Sequence, residues 1–129
     1  MVGKRKRVLV LDDEELILEL VRDIFQLLDL EVETVIDGKE AIQVFKDAWE
    51  QGNPFDLVVL DMTLPGDLDG VSTLREIRKI DPEIKAVVSS GYSADDIISN
   101  AQKYGFDAAV PKPYSISVLR ETVDKLLKK

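Results

Sequence analysis

Five short apolar segments rich in branched residues recur along the chain, at 8–11, 32–36, 57–60, 86–88 and 108–110. Each is strand-length and is followed by a segment of helical periodicity. Leu16, Ile17, Leu20, Val21, Ile24, Leu27 and Leu28 predict a helix over about 14–29 with one buried face. Asp37-Gly38-Lys39-Glu40 has the form of a capping box, and the helix it opens carries Ala41, Phe45, Ala48 and Trp49 on one side until Gly52-Asn53-Pro54 stops it. Asp69 is placed to cap a third helix, with Val71, Leu74 and Ile77 inward. A fourth starts in the box-like Ser93 to Asp96, carries Ile97, Ile98, Ala101 and Tyr104, and ends at a left-handed Gly105. Ser115 opens the last, with Leu119, Thr122, Val123, Leu126 and Leu127 on a stripe.

Strict alternation of strand and helix implies a parallel sheet with right-handed crossovers and helices on both faces, a three-layer αβα architecture. Near-continuous apolar strands fit a sheet covered on both sides. Four of the five apolar segments lead directly, or within two residues, into polar groups: Asp12 and Asp13, Asp61, Ser89 and Ser90, and Lys112. In a parallel sheet these groups gather at one edge, where open α/β sheets bind ligands. The segment ending at Ile36 leads instead into Asp37, read above as the cap of the following helix and not as a member of this group.

A length of 129 residues suits one domain, and 45% hydrophobic with 33% charged residues suits a soluble core. The net charge of −8 speaks against direct nucleic-acid binding. Lys4-Arg5-Lys6-Arg7 is the exception, read as a solvated basic flank before the first strand, with 1–6 outside the fold proper. The chain has no cysteine and no histidine, which removes disulfides, thiol nucleophiles, imidazole bases and phosphohistidine from its own chemistry. No segment reads as a signal peptide or a membrane span, so a cytoplasmic location is expected.

Three carboxylates at one edge repel and call for compensation. A hard divalent cation supplies it, and Mg2+ suits one or two carboxylates, waters and phosphate oxygens. With the Lys112 ammonium and the Ser90 hydroxyl, such a site can neutralise a transferring phosphoryl group. A carboxylate can also be the nucleophile, and Asp61, ending a central strand before Thr63-Leu64-Pro65-Gly66, is the best placed. Each residue also has a plainer role open to it. Asp13 can be a helix cap, Asp61 a turn opener, Ser90 a turn residue and Lys112 a solvated lysine; Asp67 and Asp69 read as turn and cap. Their common order at successive strand ends favours the joint site.

The segments Val8-Leu9-Val10-Leu11-Asp12-Asp13-Glu14, Leu57-Val58-Val59-Leu60-Asp61-Met62-Thr63-Leu64-Pro65-Gly66, Val87-Val88-Ser89-Ser90-Gly91-Tyr92 and Val110-Pro111-Lys112-Pro113-Tyr114 together resemble the response-regulator receiver domains of bacterial two-component signalling, over nearly the whole chain, 1–129 as a single domain. The resemblance implies a flavodoxin-like doubly wound five-stranded sheet of order 2-1-3-4-5 with five helices. It also implies that Asp61 accepts a phosphoryl group from the phosphohistidine of a sensor histidine kinase or histidine phosphotransfer protein. Asp12, Asp13, Asp61 and the backbone carbonyl of Thr63 would hold Mg2+. Ser90 would be the switch hydroxyl, Lys112 the partner of the phosphoryl oxygens, and Lys112-Pro113 a cis peptide. A downstream protein partner would read the result, from a stand-alone regulator or from the receiver of a hybrid kinase; the oligomeric state stays open.

Three positions depart from the family pattern. Ala109 stands where an aromatic switch residue is common, so the usual readout is missing. The loop Pro65-Gly66-Asp67-Leu68-Asp69-Gly70 is one residue longer than usual. Tyr92, two residues after Ser90, is placed to slow hydrolysis of an aspartyl phosphate by blocking water. Other readings weighed against the receiver are an α/β phosphatase or phosphotransferase with an aspartate nucleophile, a binding module that works without phosphorylation, and a flavodoxin-type carrier. The first would want an acid where Thr63 stands, and the last a phosphate-cradling loop where Asp12-Asp13-Glu14-Glu15 stands.

Overall fold

In the computed structural model, residues 5–61, 70–90, 101–112 and 114–127 are described, Ser90 by its backbone alone. Five parallel strands form one sheet: β1 (Arg7–Leu11), β2 (Glu31–Val35), β3 (Leu57–Asp61), β4 (Lys85–Ser90) and β5 (Ala108–Pro111). Their order is β2-β1-β3-β4-β5, as expected. The described residues also form four α-helices, α1 (Glu15–Leu27), α2 (Gly38–Glu50), α3 (Gly70–Ile80) and α4 (Ile116–Leu127). Of the fifth expected helix, residues 91–100 lie outside the described residues, and its end is a 3-10 turn at Gln102–Tyr104.

Strand alternation divides the core in two. Leu9, Leu11, Val58, Leu60, Ala86 and Val88 face α2 and α3, where Phe45, Leu74 and Ile77 pack on them. Val8, Val10, Leu57, Val59, Val87 and Val110 face α1 and α4, against Val21, Phe25, Leu119 and Val123. β1 and β3 are covered on both faces, which explains their unbroken apolar character. β2 borders the sheet and alternates, with Glu31 and Glu33 exposed. The other border strand, β5, is only four residues long and ends in Pro111.

Several helix signals hold. The Asp37 side chain accepts from Glu40 N at 2.8 Å, and Glu40 Oε1 reaches back to Ile36 N at 3.0 Å. Ser115 Oγ accepts from Val118 N at 3.3 Å at the start of α4. Three helical segments close with the same pair of 6→1 and 5→2 backbone bonds: Leu30 N to Phe25 O and Asp29 N to Gln26 O, Asn53 N to Ala48 O and Gly52 N to Trp49 O, Phe106 N to Ala101 O and Gly105 N to Gln102 O. The left-handed residue of each is Asp29, Gly52 and Gly105, at φ 62°, 75° and 94°.

Other expectations need correction. The buried residues of α1 are Leu18, Val21, Ile24 and Phe25, whereas Leu16, Leu20 and Leu27 are exposed. The last three lie within about 40° of one another on the helix, beside the buried face rather than on it. Trp49 likewise sits at the margin of the face formed by Ala41, Phe45 and Ala48, and Tyr104 is exposed. β4 continues through Ser89 and Ser90 instead of ending at Val88. Arg7 is no solvated flank: it begins β1, its guanidinium lies 4.3 Å from the Phe55 ring centroid, Nε meets Glu31 Oε2 at 2.6 Å, and Nη1 donates to Asn53 O.

Candidate functional site

Alternation carries the reactive groups to one face. Two residues beyond Val10, Val59, Val87 and Val110, all packed toward α1 and α4, come Asp12, Asp61, Ser89 and Lys112. Parallel pairing keeps them level, with Leu11 beside Leu60, Asp61 beside Ser89 and Ser89 beside Val110. The predicted edge therefore exists.

Asp12 is fully buried and Asp61 is 5% exposed, so neither carboxylate is hydrated like a surface acid. Lys112 bridges them, with Nζ 2.6 Å from Asp12 Oδ2 and 2.7 Å from Asp61 Oδ2. Burial works to lower the Lys112 pKa, but the hydrogen bonds to Asp12 and Asp61 and their charges outweigh it, and the net shift is upward. The other Asp12 oxygen, Oδ1, accepts from Glu14 N at 2.9 Å and so fixes the turn into α1. Asp12, not Asp13, thus performs that local turn role, and Asp13 is left exposed at the rim. Oxygens of Asp12, Asp13 and Asp61 lie within 4.8 Å of one another, a spacing that suits a shared cation. The hard oxygen donors and the excess of carboxylate over ammonium fit a divalent metal ion.

The structure thus brings together Asp12, Asp13, Asp61 and Lys112. The Ser90 side chain, Thr63, Tyr92, Asp67, Asp69 and the Lys112-Pro113 junction lie outside the described residues. Ala109 is half-buried and packs on the α2 and α3 side, away from the acidic cluster. Two further side chains, both named in the sequence motifs, lie beside the site. Ser89 is fully buried on the Asp61 side of the sheet, and Tyr114 is 7% exposed just past Lys112. Burial, with the adjacent Asp12 and Asp61 charges, pushes the Tyr114 hydroxyl up to about 12, against the opposing effects of Ser89 and Lys112. Ser89 is among the groups expected at this edge, and alternation along β4 puts it on the Asp61 side; the sequence by itself does not distinguish a buried Tyr114 from an exposed one.

Comparison with known proteins agrees with the geometry. The model of the response regulator receiver domain matches residues 8–124. The chemotaxis protein CheY of Thermotoga maritima is 32% identical over 124 residues, covering 95% of this chain and 98% of that protein. The sensor kinase CckA of Brucella abortus is 38% identical over 101 residues, 76% of this chain but only 10% of the kinase. Among solved structures, the response regulator TrrA of Thermotoga maritima, in complex with Mg2+-BeF, superposes with a TM-score of 0.78 at 34% identity, covering 94% of this chain and 98% of that one. Among the described residues, no helix is long and apolar enough to cross a membrane. With the sheet order, the acidic cluster and the bridging lysine all in place, the chain belongs to the response regulator receiver domain family.

Proposed function

We propose that this protein is a phosphorylation-controlled signalling module in which Asp61 accepts a phosphoryl group from a phosphohistidine of a sensor histidine kinase or histidine phosphotransfer protein. The observation that carries this is the Lys112 ammonium held between buried Asp12 and Asp61 with Asp13 alongside. An Asp61 carboxylate oxygen attacks phosphorus in line, the N–P bond breaks, and the donor imidazole leaves with its electron pair and takes up a proton. The imidazole comes from another protein, since this chain has no histidine. Asp12, Asp13 and Asp61, with the backbone carbonyl of Thr63, would hold Mg2+. Such an ion, when bound, neutralises charge on the phosphoryl oxygens. Lys112 supplies the opposing positive charge, and Ser90 donates its hydroxyl to the acquired group.

In this reading the module is not an enzyme for free substrates, and it works in the cytoplasm by changing its affinity for a downstream protein. Residues 1–129 form one receiver domain, with 1–6 as its basic flank.

The test uses Mg2+ with beryllofluoride, or with a small phosphodonor, followed by backbone NMR and mass spectrometry. The parent should respond to beryllofluoride only with Mg2+ present and carry one base-labile phosphate on Asp61. Asp61→Asn should lose both responses. A parent that binds neither Mg2+ nor beryllofluoride would overturn the proposal.

A further inference from the structure

Four consecutive acids follow β1, and three of them have a clear place. Asp12 and Asp13 belong to the carboxylate cluster. Glu15 lies in the first turn of α1, where negative charge suits the helix dipole. Glu14 stands at the N-cap position of α1, yet its side chain makes no capping bond. A serine or asparagine there would cap the helix better. Its backbone is fixed all the same, because its amide donates to Asp12 Oδ1 at 2.9 Å. The carboxylate is left free to swing, with a side chain 65% exposed, and Oε1 lies 4.0 Å from Lys112 Nζ.

That position matters because of how Lys112 is held. An ammonium has three protons to donate. Among the described residues, three carboxylates lie within ion-pair distance of it: Asp12 at 2.6 Å, Asp61 at 2.7 Å and Glu14 at 4.0 Å. Asp12 Oδ1 is taken by the Glu14 amide, so Oδ2 is the oxygen that a divalent cation would share with Lys112. Two cations on one buried oxygen repel each other. Asp12 is fully buried and fixed, so Lys112 is the group that yields. Asp61 belongs to the same cluster of metal-spaced oxygens, and Glu14 does not. Glu14 is thus the acid that remains for the ammonium alone.

We propose that Glu14 is a positioning residue for Lys112: its carboxylate receives the ammonium when a divalent cation claims Asp12, and so keeps it at the rim beside Asp61. The inference rests on the proposed function. No covalent bond or proton changes hands; one ion pair is exchanged for another. The fixed backbone of Glu14 sets where the lysine comes to rest. The positive charge stays where the oxygens of an incoming phosphoryl group would need it, instead of being lost to solvent.

Side-chain NMR of the full chain, and calorimetry with Mg2+ as the probe, test this. In the parent, the proton contact between Lys112 Hε and Glu14 Hγ should strengthen when Mg2+ is added; a weakened or unchanged contact overturns the inference. Glu14→Gln, nearly the same shape, should weaken Mg2+ binding roughly threefold, the scale of an exposed ion pair. Glu15→Gln removes the same charge one residue further on and should cost less. In the Lys112→Ala background, Glu14→Gln should cost no more than Glu15→Gln, because the ammonium it serves is gone. An equal loss with and without Lys112 means that Glu14 acts only as one more negative charge, and the inference fails. If Lys112→Ala does not fold, the proton contact in the parent decides the matter. A parent that binds no Mg2+ defeats the proposed function; a parent that binds Mg2+ with the Lys112–Glu14 contact unchanged defeats only this inference.

Discussion

Lys112 occupies the position between Asp12 and Asp61 that a second positive charge would also favour, which makes it both a stabiliser and a competitor. Without it, two carboxylates that are 0% and 5% exposed would lose their nearest cation. Breaking such a buried ion pair typically costs about 3 kcal/mol. Lys112→Ala should therefore lose roughly that much stability in EDTA, measured by urea unfolding. Mg2+ should recover most of the loss, and calorimetry should find that the variant binds Mg2+ more tightly than the parent. An equal stability loss with and without Mg2+ would show that Lys112 acts by packing and not by charge. The same comparison separates the roles of the two neighbouring acids. Asp12 is locked by Glu14 N and Lys112, whereas exposed Asp13 can turn toward a cation at little cost.

Helix ends show most clearly what local sequence can and cannot reveal. Gly52 and Gly105 announce their left-handed caps, but Asp29 adopts φ 62° with a side chain that gives no such signal. Asp29→Gly should raise stability by roughly 0.5 kcal/mol, since glycine takes this conformation freely. Gly105→Ala should lower it by about 1–2 kcal/mol. Its φ is 94°, and the added Cβ would lie 3.1 Å from Arg78 Nη1, which donates to Gly105 O. Thermal unfolding of the two variants checks both signs; a shift in the same direction for both would refute the argument. The strands, their order and the polar strand ends were legible because alternation and apolar runs report directly on a buried parallel sheet. The buried face of α1 was not, because Leu16, Leu20 and Leu27 widen its apolar stripe beyond what one sheet face can cover. Arg7 was misread for a related reason: a basic run says nothing about Phe55 and Glu31 waiting 48 and 24 residues later, nor about the bond that its amide donates to Asp56 Oδ2.

At the scale of the molecule, the buried site sets how stability responds to base. Tyr114 has its pKa raised from 10.0 to about 12, and that of Lys112 is raised from 10.5. Both groups hold their protons more tightly in the folded chain than in the unfolded one. Their contribution is therefore complete below about pH 10 and is lost as pH climbs through the folded values. Unfolding free energy should fall from pH 10 upward, and denaturant titrations should show a shallower fall for Tyr114→Phe. An identical slope in that variant would place the effect elsewhere. Finally, the sheet has two open borders, and each is closed to strand addition by different means. β2 presents Glu31 and Glu33, and β5 is short and ends in Pro111, which has no amide hydrogen to donate. A second chain cannot readily extend this ladder, so the sheet resists templated, fibre-like growth, and any recognition of this protein must proceed through side chains on its helices and loops.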